Sequence, residues 1–374
     1  RVGALLLSFL FCVTAPMVLL ANPKYAAMVM DARSGEILHS ENANKRLHPA
    51  SLTKMMTLYV VFQAVENGEI SLDKKVKISR HAASEPPSKL GLRPGQKVRL
   101  RYLIRAAAVK SANDAATALG EAIEGSEAAF ARRMNRTAKA MGMNRTTFKN
   151  AHGLTESGHL STARDMTILG RHLFYDFPDY YHLFARKTAS AGSKKVRNTN
   201  RRFLSNYRGA DGIKTGYTRA AGYNLVASAN RNGERIITTV FGGRSTTTRN
   251  AQVAKLMNLG FKKAPRNVKL QKPKPPSYIA IARAYPVINL SKSLRPKIRP
   301  ENNTDNNLIA VNEFKSDILS ALKLAQAEDN SPENPSEEYT NISFNSSPEP
   351  AYKIETVKYP RTISRLTSSG QRDW

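Results

Sequence analysis

The chain has 374 residues, 58 Lys plus Arg against 29 Asp plus Glu, a formal net charge of +29 and a single cysteine. That length gives room for one large or two ordinary domains, and one cysteine excludes a disulfide-rich secreted scaffold. The charge invites a nucleic-acid reading, but no zinc-finger spacing, helix-turn-helix signature or RNA-binding aromatic motif accompanies it, so no nucleic-acid partner is expected.

In chain order, the apolar opening "VGALLLSFLFCVTAPMVLLA" follows an Arg and closes on Ala21. It reads as a secretory signal peptide over 1–21, incomplete at its start because the first residue is Arg rather than Met, with an uncleaved anchor as the rival. Cys12 lies inside it, so cleavage leaves a cysteine-free exported chain, expected in a bacterial periplasm or on the outer face of the cytoplasmic membrane.

Residues 22–262 read as one globular domain. "YAAMVMDARSGEILHSENAN" gives two short apolar runs around a turn at Gly35, a strand-turn-strand pattern. "SLTKMMTLYVVFQAVENG" is a mostly apolar helix stopped by Gly68, hence buried. "RYLIRAAAVKSANDAATALGEAI", "SEAAFARRMNRTAKAMG" and "TARDMTILGRHLFYDF" are further helical stretches. "GADGIKTGYT" and "GYNLVASANRNGERIITTVFGG" carry three strand-like runs with an Asn232-Gly233 hairpin turn. Strands at both ends with helices between them predict an α+β fold, an antiparallel sheet with helices packed on it plus an all-helical subdomain.

Beyond this the composition shifts. Residues 263–306 are Pro- and Lys-rich and read as an extended basic linker; residues 262–300 hold eleven Lys or Arg and no acid. Residues 307–329 form one candidate helix, with Val311, Ile318, Leu322 and Ala325 along one face, read as a small docking helix. Residues 330–374 are polar and predicted disordered. For an exported protein, the charge fits peripheral contact with an anionic membrane or the cell wall.

Three motifs could carry chemistry. Ser51-x-x-Lys54 stands at a helix start; the same spacing at Ser71/Lys74 and Ser320/Lys323 shows how little it says alone. Ser111-Ala112-Asn113 opens a helix, and Lys214-Thr215-Gly216 lies on a strand before two more strands. Their order and context form the penicillin-interacting serine hydrolase set. A serine hydroxyl needs a base, and Lys54, one helical turn from Ser51, serves only when neutral. Bringing a lysine from about 10.4 to near 7 costs roughly 4 kcal/mol, which burial and the Lys214 charge would supply.

Residues 24–262 resemble the low-molecular-mass penicillin-binding proteins, specifically the serine D-alanyl-D-alanine carboxypeptidases (peptidase family S11). "DARSGEILHSENANKRLHPASLTKMMT", "FKNAHGLTESGHLSTARDM" and "GADGIKTGYTRAAGYNLVASANRNGERIITTVFGGR" carry the resemblance in place and order. It implies a β-lactamase/transpeptidase-like fold, peptidoglycan stem peptides as substrate, β-lactams as inhibitors, and no cofactor. Ser51 would be the nucleophile and Lys54 its base. Ser111 would relay a proton between Lys54 or Lys214 and the leaving nitrogen, and Asn113 would hold Lys54 and the substrate backbone. The backbone N–H groups of Ser51 and Tyr217 would form an oxyanion hole after Lys214-Thr215-Gly216. Thr215 and Arg244 would receive the terminal carboxylate, with Arg249 the second candidate and a solvated strand-end cation the alternative for Arg244. Asp165 and His152 match positions near the site but read equally as capping or structural polar groups. Seven histidines without paired spacing argue against a zinc peptidase.

The nearest rival, a class A β-lactamase, uses a Glu-activated water for deacylation. Glu156 has no Glu-x-x-x-Asn context, and the second motif is S-A-N rather than S-D-N. A non-catalytic wall-binding protein is the other alternative. The terminal "SSGQRDW" resembles the lead-in to a septal peptidoglycan-binding module of the sporulation-related repeat type; a natural polar tail is the competing reading.

Overall fold

The computed structural model describes residues 24–276. The expected signal peptide, the candidate helix 307–329, the tail and most of the linker lie outside the described residues. Two strands open the domain, β1 (Ala26–Asp31) and β2 (Ile37–Glu41), followed by a 3₁₀ turn at Ala50–Leu52 that runs directly into α1 (Thr53–Glu66). Every residue of α1 from Thr53 to Ala64 is buried, which explains its nearly continuous apolar sequence and leaves Lys54 inside the core. The chain then adds β3 (Lys75–Lys77), α2 (Arg80–Ser84), β4 (Lys97–Arg99) and α3 (Leu100–Arg105). A π-helical turn at Ala106–Lys110 leads to α4 (Asn113–Glu124) and α5 (Glu127–Ala140).

The return to the sheet goes through α6 (Ala163–Asp176), α7 (Pro178–Tyr181) and the small hairpin β5 (Thr188–Ala191) and β6 (Lys194–Arg197). After α8 (Arg201–Asn206) come three long strands, β7 (Ala210–Thr218), β8 (Gly222–Arg231) and β9 (Glu234–Gly243), and then α9 (Thr246–Lys263). The sheet order is β2-β1-β9-β8-β7, antiparallel throughout. Asn232 and Gly233 take positive φ of 51° and 83° in the β8–β9 turn, the geometry a two-residue hairpin with strand-matched twist requires.

Both sheet faces are covered. Met28, Met30, Val226, Ile237 and Phe241 face the core shared with α1 and α6, while Ala27, Val29, Leu225, Ile236 and Val240 face α9 through Val253, Leu256 and Met257. Alternate residues therefore serve two cores, and β8 and β9 are buried through their middles for that reason, with Asn224, Ser228, Thr238 and Thr239 set among the apolar residues. Helix α9 was not anticipated: its first turn is three threonines, poor interior helix formers. A capping box between Ser245 and Thr248 starts it. The hairpins β3–β4 and β5–β6 were also not read from the sequence. Past α9 the chain has no regular structure to residue 276, yet it is tied down: Arg33 donates to Pro265 O at 2.7 Å and Gln271 N–H to Arg33 O at 2.9 Å.

Candidate active site

A cleft of about 340 Å³ opens where the β7 edge meets the start of α1 and the start of α4. Ser51, Ser111, Asn113, Thr215, Gly216, Tyr217 and Arg249 line it, with Pro87, Ser88, Gly153, Leu154 and Thr199 among its walls. Ser51 sits in the 3₁₀ turn rather than in α1 itself. That turn is locked to the sheet by Asn224 of β8, buried, whose Nδ2 donates to His48 O at 3.0 Å and Pro49 O at 3.2 Å. Gly216 permits the close approach of β7: a Cβ there would lie 2.8 Å from Pro49 O and 3.1 Å from Ser51 N. Gly153 is needed on the opposite wall, with φ +86° and Ala50 O directly where a Cβ would stand.

Lys54 lies under Ser51 and is fully buried. Its Nζ is 3.0 Å from Ser51 Oγ, 2.7 Å from Asn113 Oδ1 and 2.7 Å from His152 O. Two of these three neighbours, the carbonyl oxygens, can only accept. A neutral amine has two N–H donors, so donating both to the carbonyls leaves its lone pair for the Ser51 hydroxyl proton. Burial first, and then the Lys214 charge, hold the Lys54 amine well below the usual lysine range; Glu85 and Asp114 oppose them in part. Lys214, also buried, donates to Ser111 Oγ at 2.8 Å and to Thr215 O at 3.0 Å. Burial, assisted by Arg249, brings it down to about 7.

Ser111 is held in the left-handed region at φ 65°, at the end of the π-helical turn. Such a conformation is costly for a non-glycine residue and, like a π turn, recurs at functional sites. Asn113, the first residue of α4, ties three segments together: its Oδ1 meets Lys54, its Nδ2 donates to Pro86 O at 2.8 Å, and its N–H donates to Ser88 O at 2.7 Å. Next to it, buried Asp114 accepts the backbone N–H groups of Leu90, Gly91 and Leu92 and so fixes the loop beyond Ser88. Neither Asp114 nor Asn224 was singled out from sequence; the only signals were an acid in a first helical turn and an Asn inside an apolar strand.

The expectation that Arg244 faces the cleft needs correction. Arg244 is exposed just past β9 and does not line the cleft. Arg249 does, buried at 3% exposure, with its guanidinium donating to Asn250 Oδ1 and Asn224 O. The undetected helix α9 is the reason: it turns the chain so that Arg249 faces the sheet end. Tyr217, 52% exposed, packs its ring on Tyr223 at 4.3 Å between centroids. Thr215 Oγ1 donates to Thr199 Oγ1 at 2.7 Å.

Among the other candidates, Asp165, in the first turn of α6, is structural, accepting from Arg145 N–H and Thr146 Oγ1. His152 stands behind Lys54. Glu156 accepts from Asn150 Nδ2 and does not line the cleft. Ser71 and Lys74 form an ordinary turn. A second depression of about 310 Å³ lies between the β3–β4 and β5–β6 hairpins, lined by Lys75, Lys97, Arg99 and Lys194 but by none of the paired lysines and serines.

The Peptidase S11 profile, D-alanyl-D-alanine carboxypeptidase, matches residues 20–245. The chain is 40% identical over 247 residues to D-alanyl-D-alanine carboxypeptidase DacF of Bacillus subtilis, covering 65% of this chain and 63% of that protein. It is 40% identical over 243 residues to DacC of Escherichia coli, covering 63% of this chain and 61% of that one. The match thus spans a little over three-fifths of these relatives' length. Among solved structures, penicillin binding protein 5 from Haemophilus influenzae superposes with a TM-score of 0.61 at 37% identity, covering 63% of this chain and 70% of the other. Penicillin-Binding Protein D2 from Listeria monocytogenes, in its cefotaxime-bound form, gives 0.58 at 36%, covering 63% and 96%. The chain belongs to the Peptidase S11 family of D-alanyl-D-alanine carboxypeptidases.

Proposed function

We propose that this chain is a serine-type D-alanyl-D-alanine carboxypeptidase that removes the terminal D-alanine from peptidoglycan stem pentapeptides. One observation carries the reading: a buried lysine whose N–H groups are committed to two carbonyls and whose remaining direction is Ser51 Oγ, 3.0 Å away. Family membership and the relatives' names support the substrate class.

In this mechanism Ser51 Oγ attacks the carbonyl carbon of the penultimate D-alanine as Lys54 Nζ takes the hydroxyl proton. The negative oxygen that forms is received by the backbone N–H groups of Ser51 and Tyr217. The peptide C–N bond then breaks, and the departing nitrogen takes one proton, relayed through Ser111 from Lys54 or Lys214, matching the one Lys54 removed from Ser51. Water next adds to the acyl ester and restores Ser51. Thr215 and Arg249 hold the terminal carboxylate, Arg249 taking the place first given to Arg244. Asn113 keeps Lys54 in position and binds the substrate backbone.

Penicillins are proposed to acylate Ser51; the L. monocytogenes protein has been seen with cefotaxime and with ampicillin bound. Among the described residues no carboxylate lines the cleft, so the site offers no Glu-activated water and the class A β-lactamase reading loses ground. The setting is proposed as outside the cytoplasm, in the periplasm or at the outer face of the membrane. No helix among the described residues is long and apolar enough to cross a membrane.

The test is D-alanine release from a muramyl-pentapeptide. Wild type is expected to release one D-alanine per peptide and stop, and Ser51→Ala to release none. Release undiminished in Ser51→Ala would overturn the assignment.

A further inference from the structure

Behind the Lys54 cradle, away from the cleft, lies a group of side chains that the proposed reaction does not use. His81 on α2, Glu85 just after it and Glu127 at the start of α5 bring one ligand atom each to within 4.8 Å of one another. His81 Nε2 is 3.0 Å from Glu127 Oε2 and 4.0 Å from Glu85 Oε1. Ligand atoms about 2.0–2.1 Å from a tetrahedral zinc stand roughly 3.3 Å apart, so the two separations bracket the value an ion would impose.

Three further observations favour a metal over a plain ion-pair network. First, this chain carries 58 Lys and Arg, yet among the described residues no Lys or Arg stands within 4.0 Å of these two carboxylates, whose basic neighbours are histidines. Second, both carboxylates are already oriented: Thr117 Oγ1 donates to Glu85 Oε1 at 2.9 Å, and Ala151 N–H to Glu127 Oε1 at 2.9 Å. Hydrogen bonds of this kind hold the ligands of real metal sites. Third, access is open on one side only. The His81 side chain is 57% exposed, whereas Glu85 and Glu127 are 6% and 15% exposed.

His152 completes the surroundings without being a ligand. Leu154 N–H donates to its Nδ1 at 3.1 Å, so in the neutral ring the proton sits on Nε2, which lies 3.3 Å from Glu85 Oε1 and 3.5 Å from Glu127 Oε1. An N–H cannot ligate, but it can donate to the carboxylates; His81 Nε2, which donates to Glu127 Oε2 at 3.0 Å, gives up that proton when the ion binds.

We propose that His81, Glu85 and Glu127 form a three-ligand site for a divalent transition-metal ion of the zinc class, backed by the Nε2–H of His152 and with its open position toward solvent. The ligand set, one imidazole and two carboxylates, suits zinc. The ion sits outside the cleft and takes no part in peptide cleavage; it braces α2 and α5 against the segment whose His152 carbonyl holds Lys54.

The experiment uses the full chain without an affinity tag, stripped with a chelator and equilibrated against buffered Zn²⁺, with metal per chain counted by elemental mass spectrometry. One zinc per chain is expected, with a Zn²⁺-dependent rise in Tm. Removing a ligand should cost more than removing a supporting hydrogen bond, which typically weakens metal binding about 10–100-fold. His81→Ala and Glu127→Gln are therefore expected to weaken binding by about 100-fold or more, and Thr117→Val by about 10-fold. Circular dichroism of the zinc-free proteins checks the fold, and His81, being at the surface, is the variant least able to disturb it. No stoichiometric zinc on wild type, or binding unchanged in either ligand variant, overturns the site.

Discussion

The sheet and the cleft obey opposite rules, although β7 belongs to both. On β8 and β9 the apolar residues follow the period-2 pattern, and Leu225 and Val226, like Ile236 and Ile237, enter two different apolar cores in turn. At the cleft, local preferences are overridden one after another. Two lysines are buried, a serine takes the left-handed conformation, and a π turn interrupts the approach to α4. Each departure costs stability, and each places a polar atom beside another polar atom that could react with it. Where a fold tolerates several such costs in one place, that place is where function is to be sought.

Variants can break this contrast from either side. The largest effect should come from Lys54→Met, which removes the base and keeps the volume: acylation by penicillin, followed by stopped-flow, is expected to fall about 10²–10⁴-fold. Gly216→Ala comes next. Its Cβ would meet Pro49 O at 2.8 Å and push the strand edge from Ser51, so kcat/KM on pentapeptide should drop by about 100-fold while the fold survives. Arg249→Ala should raise KM by about 10-fold or more, since a charge-assisted hydrogen bond contributes about 1.5–3 kcal/mol, whereas Arg244→Ala should leave KM within about twofold.

The pH profile sharpens the same point. Lys54 is held well below the usual lysine range and Lys214 at about 7, so the acid limb of the acylation rate should lie far below the range of ordinary lysines, with the Lys214 step near pH 7. Protonation removes the base on that limb. Ordinary lysines would place it near 10. On the sheet side, Ile237→Val should cost only about 0.5–1.5 kcal/mol in denaturant titration and leave kcat untouched, because Ile237 is buried in the core beneath α6 and touches nothing in the cleft.

The sheet was legible because alternation, apolar runs and Asn232-Gly233 are local signals. Motif order singles out the candidates Ser51, Lys54, Ser111, Asn113 and Lys214, but not their geometry. The 3₁₀ turn that carries Ser51 is tied to β8 through Asn224, and left-handed Ser111 meets β7 through Lys214 Nζ, contacts that no local window contains. Arg244 and Arg249 show the cost of one missed element. Both are cations near the end of β9, and only α9 decides which faces the cleft. Asp114 and Asn224 stayed hidden because their work is to hold distant backbone segments, visible only once those segments are together.

The measurement that tests the central claim most directly is peptide-level mass spectrometry of the protein after penicillin, with Ser51→Ala and Lys54→Met beside it. The account predicts one adduct per chain on the Ser51 peptide of wild type, none in Ser51→Ala, and only slow accumulation in Lys54→Met. An adduct on another residue, or acylation of Lys54→Met at the wild-type rate, would contradict it.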